Sequence, residues 1–149
     1  MGYSHNWNFK SVRGTANQTE QAYQRAIKDC QRVIRRYYKE NGGLSGYTAH
    51  CKLGAYGGVS VNGAGSEGCE TFTLREHFSQ NESDFVKTAR YPYDTVIVAC
   101  LAILKHRLGD NMEVSSDGNS EEWKDGINLA RKVTGLKIAN PIGGKKIAA

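Results

Sequence analysis

At 149 residues, with 39% hydrophobic and 23% charged residues, the chain has the length and composition of one globular domain with its own core. No apolar run approaches the length of a membrane-spanning helix, and the N-terminus lacks the basic-then-apolar pattern of a secretory signal, so no membrane partner and a cytoplasmic location are expected. The net charge of +5 is concentrated between Lys10 and Glu40, where eight basic residues stand against three acidic ones, which opens that segment to an anionic partner.

Residues Gly2 to Lys10 carry Tyr3, Trp7 and Phe9 among polar neighbours and predict a short first strand. Asn17 followed by Glu20 has the spacing of a capping box. The helix it opens carries Ala22, Tyr23, Ala26, Ile27, Cys30, Val33, Ile34, Tyr37 and Tyr38 at helical spacing, and Asn41-Gly42-Gly43 ends it. Nine of the 17 glycines fall between Gly42 and Gly68, which predicts loop with a strand around Val59-Ser60-Val61. Further strands are predicted over Glu70 to Leu74 and Phe85 to Arg90, with Glu76 to Asp84 as polar loop.

Pro92 suits a first helical turn, where a missing N–H is no loss. Tyr93 to Leu108 is apolar nearly all round, the pattern of a fully buried helix. Met112 to Ser115 reads as a short strand. Asn119 with Glu122 is a second capping box, opening a helix with Trp123, Ile127, Ala130 and Val133 on one stripe and Gly135 at its end. The expected fold class is α+β: a small, mostly antiparallel sheet of about four or five strands packed against three helices. One domain over residues 1–140 is expected, followed by a basic, loosely held tail over 141–149.

The motifs are weak ones. Gly63-Ala64-Gly65-Ser66-Glu67-Gly68 matches G-x-G-x-x-G, but a dinucleotide site needs a helix to follow, and Cys69 to Leu74 reads as a strand. A glycine-rich turn between strands is the better reading. His77-Phe78-Ser79 is half of a paired phosphodiesterase motif, without a second copy. The cysteines Cys30, Cys51, Cys69 and Cys100 contain no C-x-x-C pair, and His5, His50, His77 and His106 have no ligand spacing, so neither metal nor cofactor is expected. A site assembled in space from His50, Cys51, Cys69 and His77 stays open at this level.

Two segments suit an anion. Lys87-Thr88-Ala89-Arg90-Tyr91-Pro92-Tyr93-Asp94 leads into a helix N-terminus, whose spare N–H groups favour negative charge. Ser115-Ser116-Asp117-Gly118 also precedes a helix. If the two share a cleft, Trp7, Asn62, Lys87, Thr88, Arg90, Tyr93, Asp94, Ser116 and Asp117 form a candidate ligand set, with rings to stack on bases and cations to meet phosphate. If the chain is an enzyme, His5, Glu70 and Asp117 are the acid–base candidates. On the first helix Arg25, Lys28, Arg32, Arg35, Arg36 and Lys39 share one face, either a solvated surface or a nucleic-acid contact. No oligomeric state is specified, and a homo-oligomer is compatible.

Gly2-Tyr3-Ser4-His5-Asn6-Trp7, Asn62-Gly63, Glu70-Thr71-Phe72, the stretch Phe85 to Asp94 and Ser115-Ser116-Asp117-Gly118 together resemble a phage and bacterial family. Its members open with Gly-Tyr-Thr-His-Tyr-Trp and carry Lys-Thr-Ala-Arg-x-Pro-Tyr-Asp and Ser-Ser-Asp-Gly in the same order. The departures are Asn6 in place of an aromatic, Val86 in place of cysteine, and Ser66-Glu67-Gly68-Cys69 where relatives carry acidic residues, serine and histidine. The resemblance implies a phage- or mobile-element-encoded accessory protein with an anti-defence role. Sequestration of a small anionic immune signal, a cyclic or ADP-ribose-type nucleotide, is the leading expectation. The alternatives are a small phosphodiesterase or hydrolase acting on such a nucleotide, and a protein-blocking or nucleic-acid-binding module using the basic helix.

Overall fold

The computed structural model describes residues 2–46 and 58–142. The elements run β1 (Ser4–Phe9), α1 (Ala16–Asn41), β2 (Leu44–Gly46), β3 (Val59–Gly63), β4 (Phe72–Leu74), β5 (Ser83–Lys87), α2 (Asp94–Leu108), β6 (Met112–Ser116) and α3 (Ser120–Thr134). The fold is α+β, but the strands form two antiparallel sheets of three rather than one sheet of four or five, ordered β5-β1-β6 and β2-β3-β4. β2 lies in the segment read from sequence as glycine-rich loop. The Gly-x-Gly-x-x-Gly stretch is a 3-10 turn over Gly65–Glu67 followed by a strand, not a helix.

α2 is the axis of the molecule. Val96 to Leu104 are all buried, since the helix is covered by α1, α3 and β6. Each large aliphatic side chain so buried contributes about 1.5–3 kcal/mol relative to exposure. α3 approaches α2 closely at Gly126, where an added Cβ would run into the Val98 side chain and the Thr95 carbonyl. The sheets meet through aromatic rings: Trp7 of β1 packs edge-on to Phe72 of β4 at 5.4 Å. Glu70 links them again, its backbone N–H donating to the Lys87 carbonyl at 3.0 Å and its carboxylate accepting the Lys87 N–H at 2.7 Å.

The boundaries of α1 and β5 correct two expectations. α1 begins two residues earlier than the Asn17–Glu20 spacing indicated: Thr15 Oγ1 accepts the Gln18 N–H at 3.1 Å and Gln18 Oε1 accepts the Thr15 N–H at 2.9 Å. Thr-x-x-Gln offers the same reciprocal geometry two residues upstream. The second box, Asn119 with Glu122, forms as expected. β5 stops at Lys87, short of Arg90, because Ala89 and Arg90 take left-handed backbone conformations. Residues 143–149 of the expected tail lie outside the described residues, while Ile142 packs against the core and its N–H donates to Asn140 Oδ1 at 3.0 Å.

Glu20, freed from the cap, holds the loop before β5. Its carboxylate accepts the Phe78 N–H at 3.0 Å and meets His77 Nδ1 at 2.9 Å. Burial pushes the Glu20 carboxyl up, but hydrogen bonds from His77, Gln24 and the Phe78 backbone outweigh it and hold the group below its ordinary value of 4.5. The hydrogen bond to Glu20 raises His77 above its ordinary 6.5. A lowered carboxyl stabilises above its unfolded value, and a raised imidazole stabilises below its own, so the pair contributes most between about 4.5 and 6.5. The melting-temperature deficit of His77→Ala, measured by circular dichroism, is therefore expected to be largest near pH 5.5 and to shrink by pH 9. A deficit independent of pH would contradict this pairing.

Candidate functional site

β1 has two faces, and they do different things. Tyr3, His5, Trp7 and Phe9 point inward and are buried, while Ser4, Asn6 and Asn8 point outward. Its antiparallel partners place Lys87, Phe85 and Ser83 of β5 opposite Ser4, Asn6 and Asn8. β6 places Ser115 opposite Asn6 and Glu113 opposite Asn8 on the other side.

The inward face carries a closed polar network. His5 is 0% exposed, with Nε2 2.7 Å from Asp94 Oδ1 and Nδ1 2.7 Å from Ser116 Oγ. Thr88, equally buried, donates its hydroxyl to the same Asp94 oxygen at 2.6 Å. With the Asp94 carboxylate as acceptor, Nε2 donates to it, and Nδ1 shares the second hydrogen bond with the Ser116 hydroxyl. Ser116 Oγ in turn accepts the Trp123 Nε1–H at 3.0 Å and the Gly118 N–H at 2.8 Å. The Tyr3 and Trp123 rings pack edge-on against the imidazole, each at 5.3 Å. Residues from β1, the β5–α2 connection, β6 and α3 are thus joined through one side chain.

The connectivity Ser–His–Asp suggests acyl-transfer chemistry, but the arrangement is unsuited to it. Both Ser116 lone pairs already accept N–H groups, and the imidazole has no exposed atom to pass a proton to a substrate. The acid–base candidates are also apart in role. His5 bonds to Asp94 and Ser116, whereas the Glu70 carboxylate accepts the Lys87 N–H and the Asp117 carboxylate accepts the Ser4 N–H at 2.9 Å.

Arg90 and Asp117 are brought to the same end of β1, yet each is committed to a protein group. The Arg90 guanidinium lies 4.1 Å over the Tyr3 ring and its Nε donates to Glu122 at 2.9 Å. This bond raises Arg90 and is the main cause of the lowered Glu122 carboxyl, which the Asn119 backbone N–H assists. Burial, with the nearby Asp94 and Glu122 charges, pushes the Tyr3 phenol up to about 12. The turn that delivers Arg90 is strained: Ala89 and Arg90 have φ of 56° and 61°, and the Tyr91 N–H donates to the Thr88 carbonyl at 3.1 Å. Two left-handed non-glycine residues in succession cost about 1–2 kcal/mol each.

The rest of the expected ligand set divides. Trp7 and Tyr93 are 4% and 1% exposed, so neither ring is available for stacking. Tyr93 donates its hydroxyl to the Glu70 carbonyl at 2.6 Å. Asn62 sits in the other sheet, where its amide bonds Gly63, Cys69 and Thr71 and pins the 3-10 turn. Lys87 is exposed and has no ion partner among the described residues. His50 and Cys51 of the conceivable metal set lie outside the described residues, Cys69 is exposed and His77 bonds Glu20.

The open face supplies what the network does not. A groove of about 600 Å3 runs along β5-β1-β6, lined by Asn6, Asn8, Phe85, Trp7 and the acidic Asp84 and Glu113 among others. Phe85, one of the lining residues, is 59% exposed and stands beside Asn6. The groove opens beside the outward side chains of β1, although Trp7 and its partners Asp84 and Val114 also line it, and it has room for a ligand that the closed network around His5 lacks. Asn6, Asn8 and Phe85 were absent from the sequence-derived set. The alternation in Ser4–Phe9 was the available signal, since it turns both asparagines to the side away from Trp7. No helix among the described residues is long and apolar enough to cross a membrane.

Replacing Ser116 by Ala strands the Trp123 and Gly118 donors and His5 Nδ1. A loss of about 2–3 kcal/mol is expected, measured by urea unfolding. Ala89→Gly removes one left-handed penalty and is expected to stabilise by about 0.5–1 kcal/mol in the same measurement. No family model, curated protein or solved structure matches the chain.

Proposed function

We propose that this is a phage- or mobile-element-encoded accessory protein that binds and sequesters a small anionic nucleotide on the open face of the β5-β1-β6 sheet. The observation that carries the reading is Phe85, an aromatic ring 59% exposed on a strand, flanked by the Asn6 amide and fronting a groove of about 600 Å3. An exposed large apolar ring on a folded surface is informative where polar groups converge beside it. Phe85 offers a stacking surface for a base. Asn6 and Asn8 offer amide donors and acceptors for its edge, as an asparagine does toward adenine. Lys87, two residues along β5 on the same face but outside the groove lining, is the cation that would meet the phosphate, and it must outweigh Asp84 and Glu113, which line the groove. The resemblance described above favours an immune signal of the cyclic or ADP-ribose type.

Sequestration is preferred to hydrolysis because the nearest Ser–His–Asp chain is buried and saturated. The nucleotide is expected to be recovered intact after incubation and denaturation, and to raise the melting temperature. An altered nucleotide would overturn sequestration in favour of a hydrolase. No shift with any member of a cyclic and ADP-ribose-type panel would remove the nucleotide proposal altogether.

Stacking on one ring is worth about 1–3 kcal/mol, so Phe85→Ala is expected to weaken binding about 5- to 150-fold by calorimetry. Asn6→Ala is expected to weaken it comparably, and neither should lower thermal stability appreciably, since both side chains face solvent. Wild-type affinity in both variants would place the ligand elsewhere.

A further inference from the structure

We infer that the solvent-facing side of α1 is a second binding surface, separate from the groove, that takes the phosphate backbone of nucleic acid. Arg25, Lys28, Arg32, Arg35, Arg36 and Lys39 are all exposed. At 3.6 residues per turn they fall within an arc of about 100° and extend about 21 Å along the helix. Asp29 and Glu40 stand at one margin of that arc and Glu20 beyond the other, so no acid interrupts it.

The stripe is only partly neutralised from within. Arg32 approaches Asp29 at 3.4 Å and donates to the Val133 carbonyl at 2.8 Å, and Arg36 pairs with Glu40 at 2.8 Å. Arg25, Lys28, Arg35 and Lys39 have no ion pair among the described residues. Lys132 of α3 adds to the same field. The Arg36 hydrogen bond is the main cause of the lowered Glu40 carboxyl, and Lys132 and Lys39 act with it.

Such a face opposes helix formation. Arg25–Lys28, Lys28–Arg32, Arg32–Arg35, Arg32–Arg36, Arg35–Lys39 and Arg36–Lys39 are like-charge neighbours at three or four residues, and each destabilises the helix. A solvated helix face reaches the same solubility with mixed signs. An external polyanion removes the repulsion and gains the release of its own counterions. The arc holds no aromatic or aliphatic side chain, so it lacks the apolar anchors of a protein–protein hot spot. A row of cations without such anchors, and with no base-reading motif, fits a phosphate backbone bound without regard to sequence.

The test uses the full chain and a fluorescently labelled duplex DNA of about 20 base pairs, followed by anisotropy across a salt series. Binding is expected at low salt, and log K should fall against log salt with a slope of about −4 to −5 for five phosphates neutralised. The triple variant Lys28→Gln, Arg35→Gln, Lys39→Gln should lower affinity at least tenfold and reduce the slope by about 3. Its melting temperature should equal or exceed the wild type, because like charges have been removed, so weakened binding would not reflect unfolding. Phe85→Ala should bind DNA as the wild type does, which separates this surface from the groove. The inference is overturned by no binding at low salt, by a slope near zero, or by a triple variant that binds unchanged. Equal affinity for poly-glutamate of matched charge would also overturn it, in favour of an acidic protein partner.

Discussion

The buried imidazole of His5 is the constraint from which the rest of the architecture follows. A histidine with no solvent exposure must find protein partners for both ring nitrogens, since an unmet buried polar group costs about 1–3 kcal/mol. Its partners are Asp94 at the start of α2 and Ser116 at the end of β6. Meeting them sets the position of β1 against the central helix and its neighbouring strand at once. Ser116 extends the chain of bonds to Trp123 and Gly118, and so to α3. Asp94 extends it to Thr88 and the turn that carries Arg90. The motif residues that look like a binding site in the sequence are largely the joints of this frame.

That division of labour explains why the two faces of β1 differ. The inward face is saturated: every donor and acceptor of the imidazole and of the Ser116 hydroxyl is met by a neighbour. Saturation gives rigidity and removes chemical freedom, because a hydroxyl whose lone pairs are taken attacks nothing. The outward face has the opposite properties. Its amides and its phenyl ring meet solvent, and the strand beneath them is held in place from behind. A rigid platform loses less entropy on binding a small ligand than a mobile one does. The strained turn at Ala89 and Arg90 belongs to the frame as well, since the Thr88 N–H that precedes it donates to the Tyr3 carbonyl at 3.0 Å.

Much of the helical architecture was legible in the residues. Helical spacing of apolar residues identified α1 and α3, and an apolar run bounded by Pro92 and Gly109 identified α2 as the buried helix. These signals are local and repeat over many residues. The division of strands into two sheets was not legible, because pairing joins residues far apart and each strand has only three to six residues. The site was legible only as a list of unusual polar residues. Trp7 and Tyr93 were natural stacking candidates by type, yet both rings are core. Asn6 and Asn8 carry no binding signal by residue type alone, although strand alternation puts them on one face.

The sequence by itself determined the α+β class, the three helices, the second capping box, the concentration of positive charge on one face of α1, and the absence of a helix following the glycine-rich turn. Each depends on residues within a turn or two of one another, where backbone geometry leaves few choices. Only the tertiary structure decided that β1 lies between β5 and β6, that His5 bonds Asp94 and Ser116, and that Phe85 stands beside Asn6 on an open face. Those outcomes depend on which distant groups can satisfy a buried donor or acceptor, and no local pattern records that.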